Sequence, residues 1–337
     1  MERWLTSVWY RESAGPSLLQ PLSWLYGLVI ALRRRAFSNG LLKDGRVGKP
    51  VIVVGNLTVG GTGKTPLVAW LAEQLSATGL KVGIISRGYG GSNRAPEIVH
   101  VDSDWRAVGD EPVLLRQLTG CDTVVAHDRV AGAQKLVALG ADIVISDDGL
   151  QHLRLARDCE IVVVDGARGF GNGRLLPAGP LREPARRIQS ADIIVVNGPP
   201  EHGSLQKRPP EAAMQMSLFA ADAHRLDGLA APQSLEHFKG QRVHAVAGIG
   251  HPQRFFRDLK DRGMDVIEHP FPDHHPFAAA DLTFDDDLPV LITQKDAVRC
   301  RSFAHDRLWY VPVTARFDEG QARDLLQRVV QALAPST

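Results

Sequence analysis

Residues 58–66 read Thr58-Val59-Gly60-Gly61-Thr62-Gly63-Lys64-Thr65-Pro66. An apolar run at residues 51–54 leads into this stretch, and leucines follow it at positions 67, 71 and 75, which is a helical spacing. A strand, a glycine-rich turn and a helix in this order are typical of a loop that binds phosphate, because backbone N–H groups and the positive end of the helix point toward the anion. The stretch therefore predicts a nucleotide-binding loop in an α/β fold.

We expect this loop to bind a nucleoside triphosphate through its backbone and through two side chains. The backbone positions are Thr58, Gly60, Gly61, Thr62 and Gly63. Lys64 can reach the terminal phosphates, and the Thr65 hydroxyl can bind Mg²⁺. The strict motif has glycine where this chain has Thr58, so an ordinary glycine turn is the alternative, but the complete Gly63-Lys64-Thr65 end argues against it.

The composition limits the remaining possibilities. A chain of 337 residues with 44% hydrophobic composition is long enough for two domains. Cys121, Cys159 and Cys300 lie far apart, which predicts neither a disulfide framework nor a zinc site and fits a reducing compartment. A net charge of +1 gives no electrostatic case for nucleic acid as a partner.

Short runs rich in Val and Ile alternate with helical stretches after the loop. The predicted strands lie at 82–86, 123–126, 143–146, 161–165 and 193–197. Such runs form a parallel sheet covered by helices, with ligands at the carboxyl ends of the strands. The alternation resumes nearer the C-terminus, so we predict an α/β protein with a P-loop NTPase-type parallel sheet domain and a second, smaller α/β domain. The predicted boundaries are 1–45 for an N-terminal apolar and basic helical segment, 46–200 for the nucleotide-binding core, 201–235 for a linker and 236–337 for the smaller domain.

The N-terminal segment combines apolar and basic residues. The first fifty residues contain eight Lys or Arg against three acids, and three of the six tryptophans, Trp4, Trp9 and Trp24. The apolar run at 18–32 ends at three arginines, 33–35, and it is too short and too interrupted to span a bilayer, which takes about 20 apolar residues. A core helix is one interpretation, but the clustering favours a helix that lies on a membrane surface.

Two candidate acidic sites follow from position. Asp147 and Asp148 come directly after the predicted strand at 143–146, where nucleotide-using folds place the carboxylate of the Mg²⁺ shell, although Asp-Gly after a strand is also a common turn. Asp110 opens a helical run as Gly109-Asp110-Glu111-Pro112, which is good helix-start chemistry and also places a carboxylate where it can act as general base. Spacing alone leaves both interpretations open.

The glycines at 169, 171 and 173 do not form a dinucleotide motif, because a proline-broken loop follows them instead of a helix. We predict that this loop is a mobile cover. Within it, Arg182 can bind a phosphoryl group and Glu183 can approach a metal, whereas a solvated charge pair is the alternative.

The predicted smaller domain contains Asp273-His274-His275 in a loop bounded by prolines. Metal binding is possible there, but without a cysteine we favour a histidine that pairs with a carboxylate across the domain interface. Farther on, Lys295 and Asp296 are adjacent, whereas a guanine-reading signature separates them by one residue, so guanine specificity is not supported.

Together these motifs resemble one family. They are Asn56-Leu57-Thr58-Val59-Gly60-Gly61-Thr62-Gly63-Lys64-Thr65-Pro66, Ser86-Arg87-Gly88-Tyr89-Gly90, Gly109-Asp110-Glu111-Pro112, Ser146-Asp147-Asp148-Gly149-Leu150-Gln151-His152, Pro180-Leu181-Arg182-Glu183-Pro184 and Asp273-His274-His275. In this order, and over nearly the whole chain, the sequence resembles the tetraacyldisaccharide 4′-kinases of lipid A biosynthesis. It departs from them at Gln294, where the family often has Glu.

The resemblance implies transfer of the γ-phosphoryl group of ATP to the 4′-hydroxyl of a tetraacyldisaccharide 1-phosphate, an acylated glucosamine disaccharide, to give lipid IVA. It implies Mg²⁺ as cofactor and a position at the cytoplasmic face of the inner membrane of a Gram-negative bacterium. It implies no nucleic acid and no protein partner.

The resemblance also implies roles for individual residues. Carried over by position, Lys64 and Thr65 bind phosphate and Mg²⁺, Asp147 and Asp148 form the second acidic motif, Asp110 and His274 form a catalytic base dyad, Arg182 meets phosphate, and Glu183 helps to bind the metal. Closure of the two lobes would bring His274 toward Asp110 and exclude water. Two other functions share the phosphate loop: a membrane-associated nucleotide switch and a small-molecule kinase whose N-terminal segment belongs to the core.

Overall fold

The computed structural model describes residues 9–10, 17–88, 95–207 and 212–333. Trp4 and the motif residues Tyr89 and Gly90 lie outside these ranges. The strands are, in chain order, β1 Val51–Gly55, β2 Val82–Ser86, β3 Glu97–Val99, β4 Asp122–Val125, β5 Ile143–Asp147, β6 Cys159–Asp165, β7 Ile193–Asn197, β8 Met214–Ala220, β9 His224–Arg225, β10 Arg242–Ala247, β11 Asp265–Pro270, β12 Val290–Thr293, β13 Leu308–Val311 and β14 Val313–Arg316.

The α-helices lie before, between and after these strands. They are α1 Gln20–Ser38, α2 Lys64–Ala77, α3 Trp105–Val108, α4 Asp110–Thr119, α5 Arg129–Ala138, α6 Gly203–Lys207, α7 Pro252–Asp261, α8 Gln294–Cys300 and α9 Glu319–Leu333. Short 3₁₀ turns are found at Ser17–Leu19, Ala185–Ser190, Leu235–Phe238, Ala279–Asp281 and Arg301–Phe303.

The strands form two sheets, as the predicted fold class requires. The larger sheet has nine strands in the order β14-β8-β7-β6-β1-β5-β2-β4-β3, and the smaller has five in the order β11-β10-β12-β13-β9. The seven inner strands of the larger sheet are parallel, whereas β3 and β14 pair antiparallel at its edges. Every residue of β1, β5 and β6 is buried, which explains why these strands read as continuous Val and Ile runs without alternation.

The sheets do not follow the predicted domain boundaries. The segment 201–235, predicted as a linker, contains β8, which lies inside the larger sheet. The C-terminal part of 236–337 also returns to that sheet, because β14 pairs with β8, and Leu325 and Val329 of α9 are buried in the same core as Leu67. Local periodicity predicts a strand and a helix here, but it carries no information about which sheet they join.

Helix α1 occupies residues 20–38 of the predicted N-terminal segment 1–45. Four apolar side chains project from it into solvent with 56–59% of their surface exposed: Leu25, Leu28, Val29 and Leu32. Ser23 is its one fully buried residue. Among the residues that the structure describes, no helix is both long and apolar enough to cross a membrane. Because its four apolar side chains are exposed, the interpretation as a core helix is wrong for this face of α1.

Candidate active site

The predicted phosphate loop connects β1 to α2. Gly60 and Gly63 have φ angles of 94° and 92°, a left-handed conformation that favours glycine. A Cβ on Gly63 would clash with Asn197 Nδ2, so this position also lacks space for a side chain. Thr58, in contrast, forms an antiparallel bridge with Leu181 and is not among the described residues with positive φ. Its extended backbone explains why glycine is not needed there.

Three polar side chains hold the carbonyl groups of the loop. Arg168 donates a hydrogen bond to Gly61 O, Asn197 Nδ2 donates to Thr62 O at 3.0 Å, and Asn56 Nδ2 donates to Gly60 O at 3.2 Å. Within the described ranges, the amides of residues 60–63 donate to no backbone carbonyl. The loop thus keeps its donors available to an anion.

Arg168 and Asn197 were not predicted from the sequence as contacts of this loop. Asn197 ends β7, and Arg168 lies three residues beyond the end of β6. Their positions at or just beyond the carboxyl ends of neighbouring strands were the available signal.

Lys64, Asp148 and Arg182 form a charged cluster beside the loop. Lys64 Nζ lies 3.4 Å from Asp148 Oδ1, and Arg182 Nη1 lies 3.1 and 3.2 Å from the two oxygens of the same carboxylate. Burial acts to raise the pKa of Asp148, but the two cations outweigh it and hold that pKa well below its usual range. Asp148 also has a φ of 48°, an uncommon conformation for a residue other than glycine. The structure thus brings these three predicted site residues together.

Asp147 occupies the end of β5 in a different environment. It is 1% exposed, and neither carboxylate oxygen has a hydrogen-bond partner among the described residues. Burial, followed by the charge of the nearby Glu111, raises its pKa to about 7. A buried carboxylate without a partner is costly unless a cation neutralises it. Asp147 therefore fits a ligand of a Mg²⁺ ion, which uses few carboxylates and completes its shell with water and phosphate. Thr65, the second residue of α2, carries the hydroxyl predicted to join it.

Glu183 lies in a buried ion-pair cluster. Its carboxylate lies 2.8 Å from Arg34 Nη1 and 3.5 Å from Arg187 Nε, and it accepts a hydrogen bond of 3.1 Å from Gln151 Nε2. The alternative of a solvated pair between Arg182 and Glu183 is wrong, because Glu183 is buried and Arg182 contacts Asp148. Metal binding by Glu183 stays a prediction, and it would compete with these three contacts.

The loop of residues 174–184 is paired with the phosphate loop. Val59 N donates to Pro180 O at 2.9 Å, and Arg182 N donates to Leu57 O at 2.7 Å. These backbone hydrogen bonds join the two segments in register. The expectation of a mobile cover therefore does not hold for the part of this loop beside the phosphate loop, because its backbone hydrogen-bonds to residues 57 and 59.

Asp110 and His274 are in direct contact across the two sheets. Asp110 Oδ2 lies 2.9 Å from His274 Nδ1, while Asp110 Oδ1 accepts the amide of Glu111 at the start of α4. The carboxylate thus serves the helix start and meets the histidine at once. Burial acts to raise the pKa of Asp110, but His274 and the cations Lys295 and Arg299 lower it to about 2. The same hydrogen bond raises the pKa of His274.

The pair does not require closure of the lobes. His274 has a φ of 57°, and its amide donates to Gly248 O at 3.2 Å, so its backbone is held beside the end of β10. A Cβ on Gly250 would lie 3.1 Å from Asp273 Oδ2 and 3.3 Å from Gly61 N. Gly250, between β10 and α7, therefore lies between the histidine loop (residues 271–277) and the phosphate loop. The expected movement of His274 toward Asp110 is not needed to form their contact.

Helix α8 supplies two cations that the sequence analysis did not assign to the site. Lys295 Nζ lies 2.9 Å from Glu111 Oε1 and 3.6 Å from Asp273 Oδ1. Arg299 is buried, with Nε 3.5 Å from Asp110 Oδ2 and Nη2 donating to Gly248 O at 2.8 Å. Charged residues at 295, 296 and 299 on a helix that follows an apolar strand were the available signal. These contacts join the acidic helix start of one sheet to the histidine loop of the other.

Comparison with known proteins gives a consistent result. The family model described as Tetraacyldisaccharide-1-P 4′-kinase matches residues 16–331. A Tetraacyldisaccharide 4′-kinase of Alkalilimnicola ehrlichii is 52% identical over 299 residues, covering 88% of each chain. One from an Azoarcus species is 50% identical over 334 residues, covering 97% of this chain and 96% of the relative. The crystal structure of LpxK from Aquifex aeolicus in complex with ATP is similar with a TM-score of 0.75 and 30% identity, over 94% of this chain and 99% of that one.

Proposed function

Because the chain belongs to the tetraacyldisaccharide-1-P 4′-kinase family and is an ATP-dependent kinase, we propose that it phosphorylates the 4′-hydroxyl of a tetraacyldisaccharide 1-phosphate. ATP is the phosphoryl donor, and lipid IVA is the product. The observation that carries the proposal is the Asp110–His274 contact of 2.9 Å, close to Gly250, which lies between the histidine loop and the phosphate loop. A carboxylate so placed suits an acceptor hydroxyl.

The backbone amides and the cationic side chains of the site bind ATP, the phosphoryl donor. The amides of the phosphate loop and Lys64 bind the β- and γ-phosphates, and Arg182 neutralises charge on the group in transfer. Phosphoryl transfer passes through a loose transition state, so positioning and charge neutralisation supply most of the acceleration. Mg²⁺ bound by Thr65 and Asp147, and by Glu183 if it exchanges its partners, would neutralise the phosphate oxygens.

The Asp110 carboxylate accepts the proton of the 4′-hydroxyl as the new P–O bond forms. Its low pKa keeps it ionised, and His274 donates a hydrogen bond that fixes the orientation of the carboxylate. A weak base is sufficient, because the hydroxyl loses its proton late in a loose transition state. Lys295 and Arg299, both on α8, stabilise the ionised form of the Asp110 carboxylate.

The acceptor is a lipid, and helix α1 suits a lipid surface. Its exposed apolar face carries Leu25, Leu28, Val29 and Leu32, and exposed Arg33 and Arg35 follow this face. Such a helix lies in the headgroup boundary of a bilayer, where arginines attract anionic lipid. We place the enzyme on the cytoplasmic face of the bacterial inner membrane, where it acts in lipid A biosynthesis.

The test is ATP consumption with and without the acceptor. Purified full-length protein is given Mg·ATP and a tetraacyldisaccharide 1-phosphate in nonionic detergent, and the product is identified by mass spectrometry. Acceptor-dependent turnover with a phosphorylated lipid supports the proposal. ATP hydrolysis at a rate that does not depend on the acceptor would favour a nucleotide switch. Turnover only with a small sugar or another water-soluble alcohol would favour a small-molecule kinase.

A further inference from the structure

Helix α1 has a second, inward face that is polar. Ser23 Oγ donates to Leu175 O at 2.9 Å and accepts the amide of Ala178 at 3.0 Å. One turn farther on, Tyr26 OH donates to Arg182 O at 3.1 Å. Two turns beyond that, Arg34 Nη1 lies 2.8 Å from Glu183 Oε2. The inward face therefore contacts the loop 174–184 along its length.

The same loop forms part of the phosphate site. Its backbone pairs with the phosphate loop on the opposite side, through the hydrogen bonds of Val59 with Pro180 and of Leu57 with Arg182. The Arg182 guanidinium contacts Asp148, which also contacts Lys64. Three layers thus lie in series, with the apolar helix outermost, the loop between, and the phosphate loop innermost.

Arg34 differs from its two neighbours in the arginine run. Arg33 and Arg35 are exposed, whereas the Arg34 side chain is 36% exposed and its partner Glu183 only 4%. Removing a charged partner from a buried carboxylate is costly, because the carboxylate loses its neutralising contact. Among these three described arginines, Arg34 therefore contacts the loop 174–184, whereas the other two are exposed to solvent.

We propose that α1 is a positioning element of the active site, in which Tyr26 and Arg34 hold Arg182 and Glu183 in the geometry needed for phosphoryl transfer. The helix then has two separate functions on its two faces: the outer face meets lipid, and the inner face fixes the loop that neutralises the transferred phosphoryl group. This inference rests on the proposed kinase function. It makes the lipid-facing helix and the catalytic loop one structural unit.

The test uses single substitutions on the inward face of the full-length protein. Tyr26→Phe removes only the hydroxyl that contacts Arg182 O, and Arg34→Gln removes the charge that meets Glu183. Arg34→Lys is the conservative variant that retains the charge. Arg46→Gln is the matched control, since Arg46 is an exposed arginine in a surface ion pair 3.9 Å from Asp158.

Three measurements separate positioning from other roles. Hydrogen exchange of the amides of residues 174–184, without substrate, is expected to accelerate about tenfold in Tyr26→Phe and Arg34→Gln. With acceptor in detergent micelles, kcat is expected to fall about 10–100-fold while KM for ATP changes less than about threefold, and Arg34→Lys is expected to recover most of the loss. Binding to anionic vesicles, measured by sedimentation, is expected to match wild type.

The outcomes are distinct. If both inward variants match Arg46→Gln in exchange and in kcat, the inference is wrong. It is equally wrong if their whole effect is lost vesicle binding, because Tyr26 and Arg34 would then serve the membrane alone. If wild type shows no acceptor-dependent turnover, the proposed function fails, while the exchange measurement still decides whether α1 holds the loop.

Discussion

At the scale of single residues, Asp110 shows how one carboxylate can satisfy two interpretations of a sequence pattern. Its backbone opens α4 and its Oδ1 accepts the amide of Glu111, while its Oδ2 meets His274. Helix-start chemistry therefore does not compete with a role in catalysis. The two functions use different oxygens of the same side chain.

We expect Asp110→Asn to lower kcat about 10²–10⁴-fold, the usual range for loss of a general base. Asparagine keeps the size of the side chain and an oxygen that can accept the Glu111 amide, so ATP binding is expected to change little. Steady-state kinetics and a fluorescent nucleotide titration measure the two quantities. Lys64→Ala is the comparison variant and is expected to impair both. Near-normal kcat for Asp110→Asn would leave Asp110 with the helix-start role alone.

His274 makes the stability of the pair depend on pH. Its hydrogen bond to Asp110 raises its pKa above 6.5, with Asp273 also favouring and Lys295 opposing the charged form. A group whose pKa is raised by folding stabilises the fold fully at pH values below its pKa in the unfolded chain. This stabilisation is lost as the pH rises through the pKa of the group in the folded protein. For Asp110 the order is reversed: its contribution is present above the unfolded value of 3.8 and is lost as the pH falls through about 2.

His274→Gln is therefore expected to lower Tm by a few degrees at about pH 6 and by less at about pH 9. Thermal denaturation at several pH values measures this difference. His237→Gln serves as control, because His237 is exposed on the same lobe. Its effect on Tm is expected to be small at every pH. A deficit for His274→Gln that is constant or grows toward high pH would contradict the ion-pair assignment.

At the scale of elements, α1 shows that an amphipathic helix can be apolar toward solvent and polar toward the protein. Its outward leucines are exposed, and its inward contacts are made by Ser23, Tyr26 and Arg34. Deleting residues 1–35 would remove both faces together. Substitutions confined to the outward face are a sharper test of membrane contact.

We expect the triple variant Leu25→Gln, Leu28→Gln, Leu32→Gln to lose most of its binding to anionic vesicles. Each exposed leucine that enters the bilayer boundary contributes on the order of 1 kcal/mol, so three together change the partition by about 100-fold or more. Tm in solution is expected to stay near that of wild type, because these side chains are exposed without the membrane. Sedimentation with vesicles and thermal denaturation provide the two readings. Unchanged sedimentation would exclude this face as the membrane contact.

At the scale of the whole molecule, the chain crosses between its two sheets more than once. β8 lies in the larger sheet and β9 in the smaller one, and after β13 the chain returns to the larger sheet through β14 and α9. Leu325 is fully buried in the core that contains Leu67, and Phe317 lies with its ring centroid 4.7 Å from that of Trp70 on α2. Helix α9 and the segment before it therefore stabilise the nucleotide-binding core.

Leu325→Ala is expected to destabilise that core by about 2–5 kcal/mol, the cost of a large-to-small change at a buried site. ATP binding should then be lost at a lower temperature than in wild type. Val330→Ala, on the exposed side of the same helix at 61% exposure, is expected to change stability by less than about 0.5 kcal/mol. The packing of α9 on the nucleotide-binding core would be contradicted if the two substitutions had equal effects on stability. It would also be contradicted if Leu325→Ala lost ATP binding at the same temperature as wild type.

The sequence by itself determined the features that depend on neighbouring residues. The 58–66 stretch, the Val and Ile runs and the acids after β5 predicted the phosphate loop, the parallel sheet and the second acidic motif, because strand, turn and helix preferences act over a few residues. The ordered motifs also indicated the family that the comparisons support.

Only the tertiary structure decided the contacts between distant segments. It assigned β14 and α9 to the larger sheet, joined Asp110 to His274 across 164 positions, and turned Arg34 inward to Glu183 across 149. It also paired the backbone of the loop 174–184 with the phosphate loop, whereas the prolines of this segment had predicted a mobile cover. These outcomes depend on which surfaces pack together, and packing is set by the shape and charge of the whole fold.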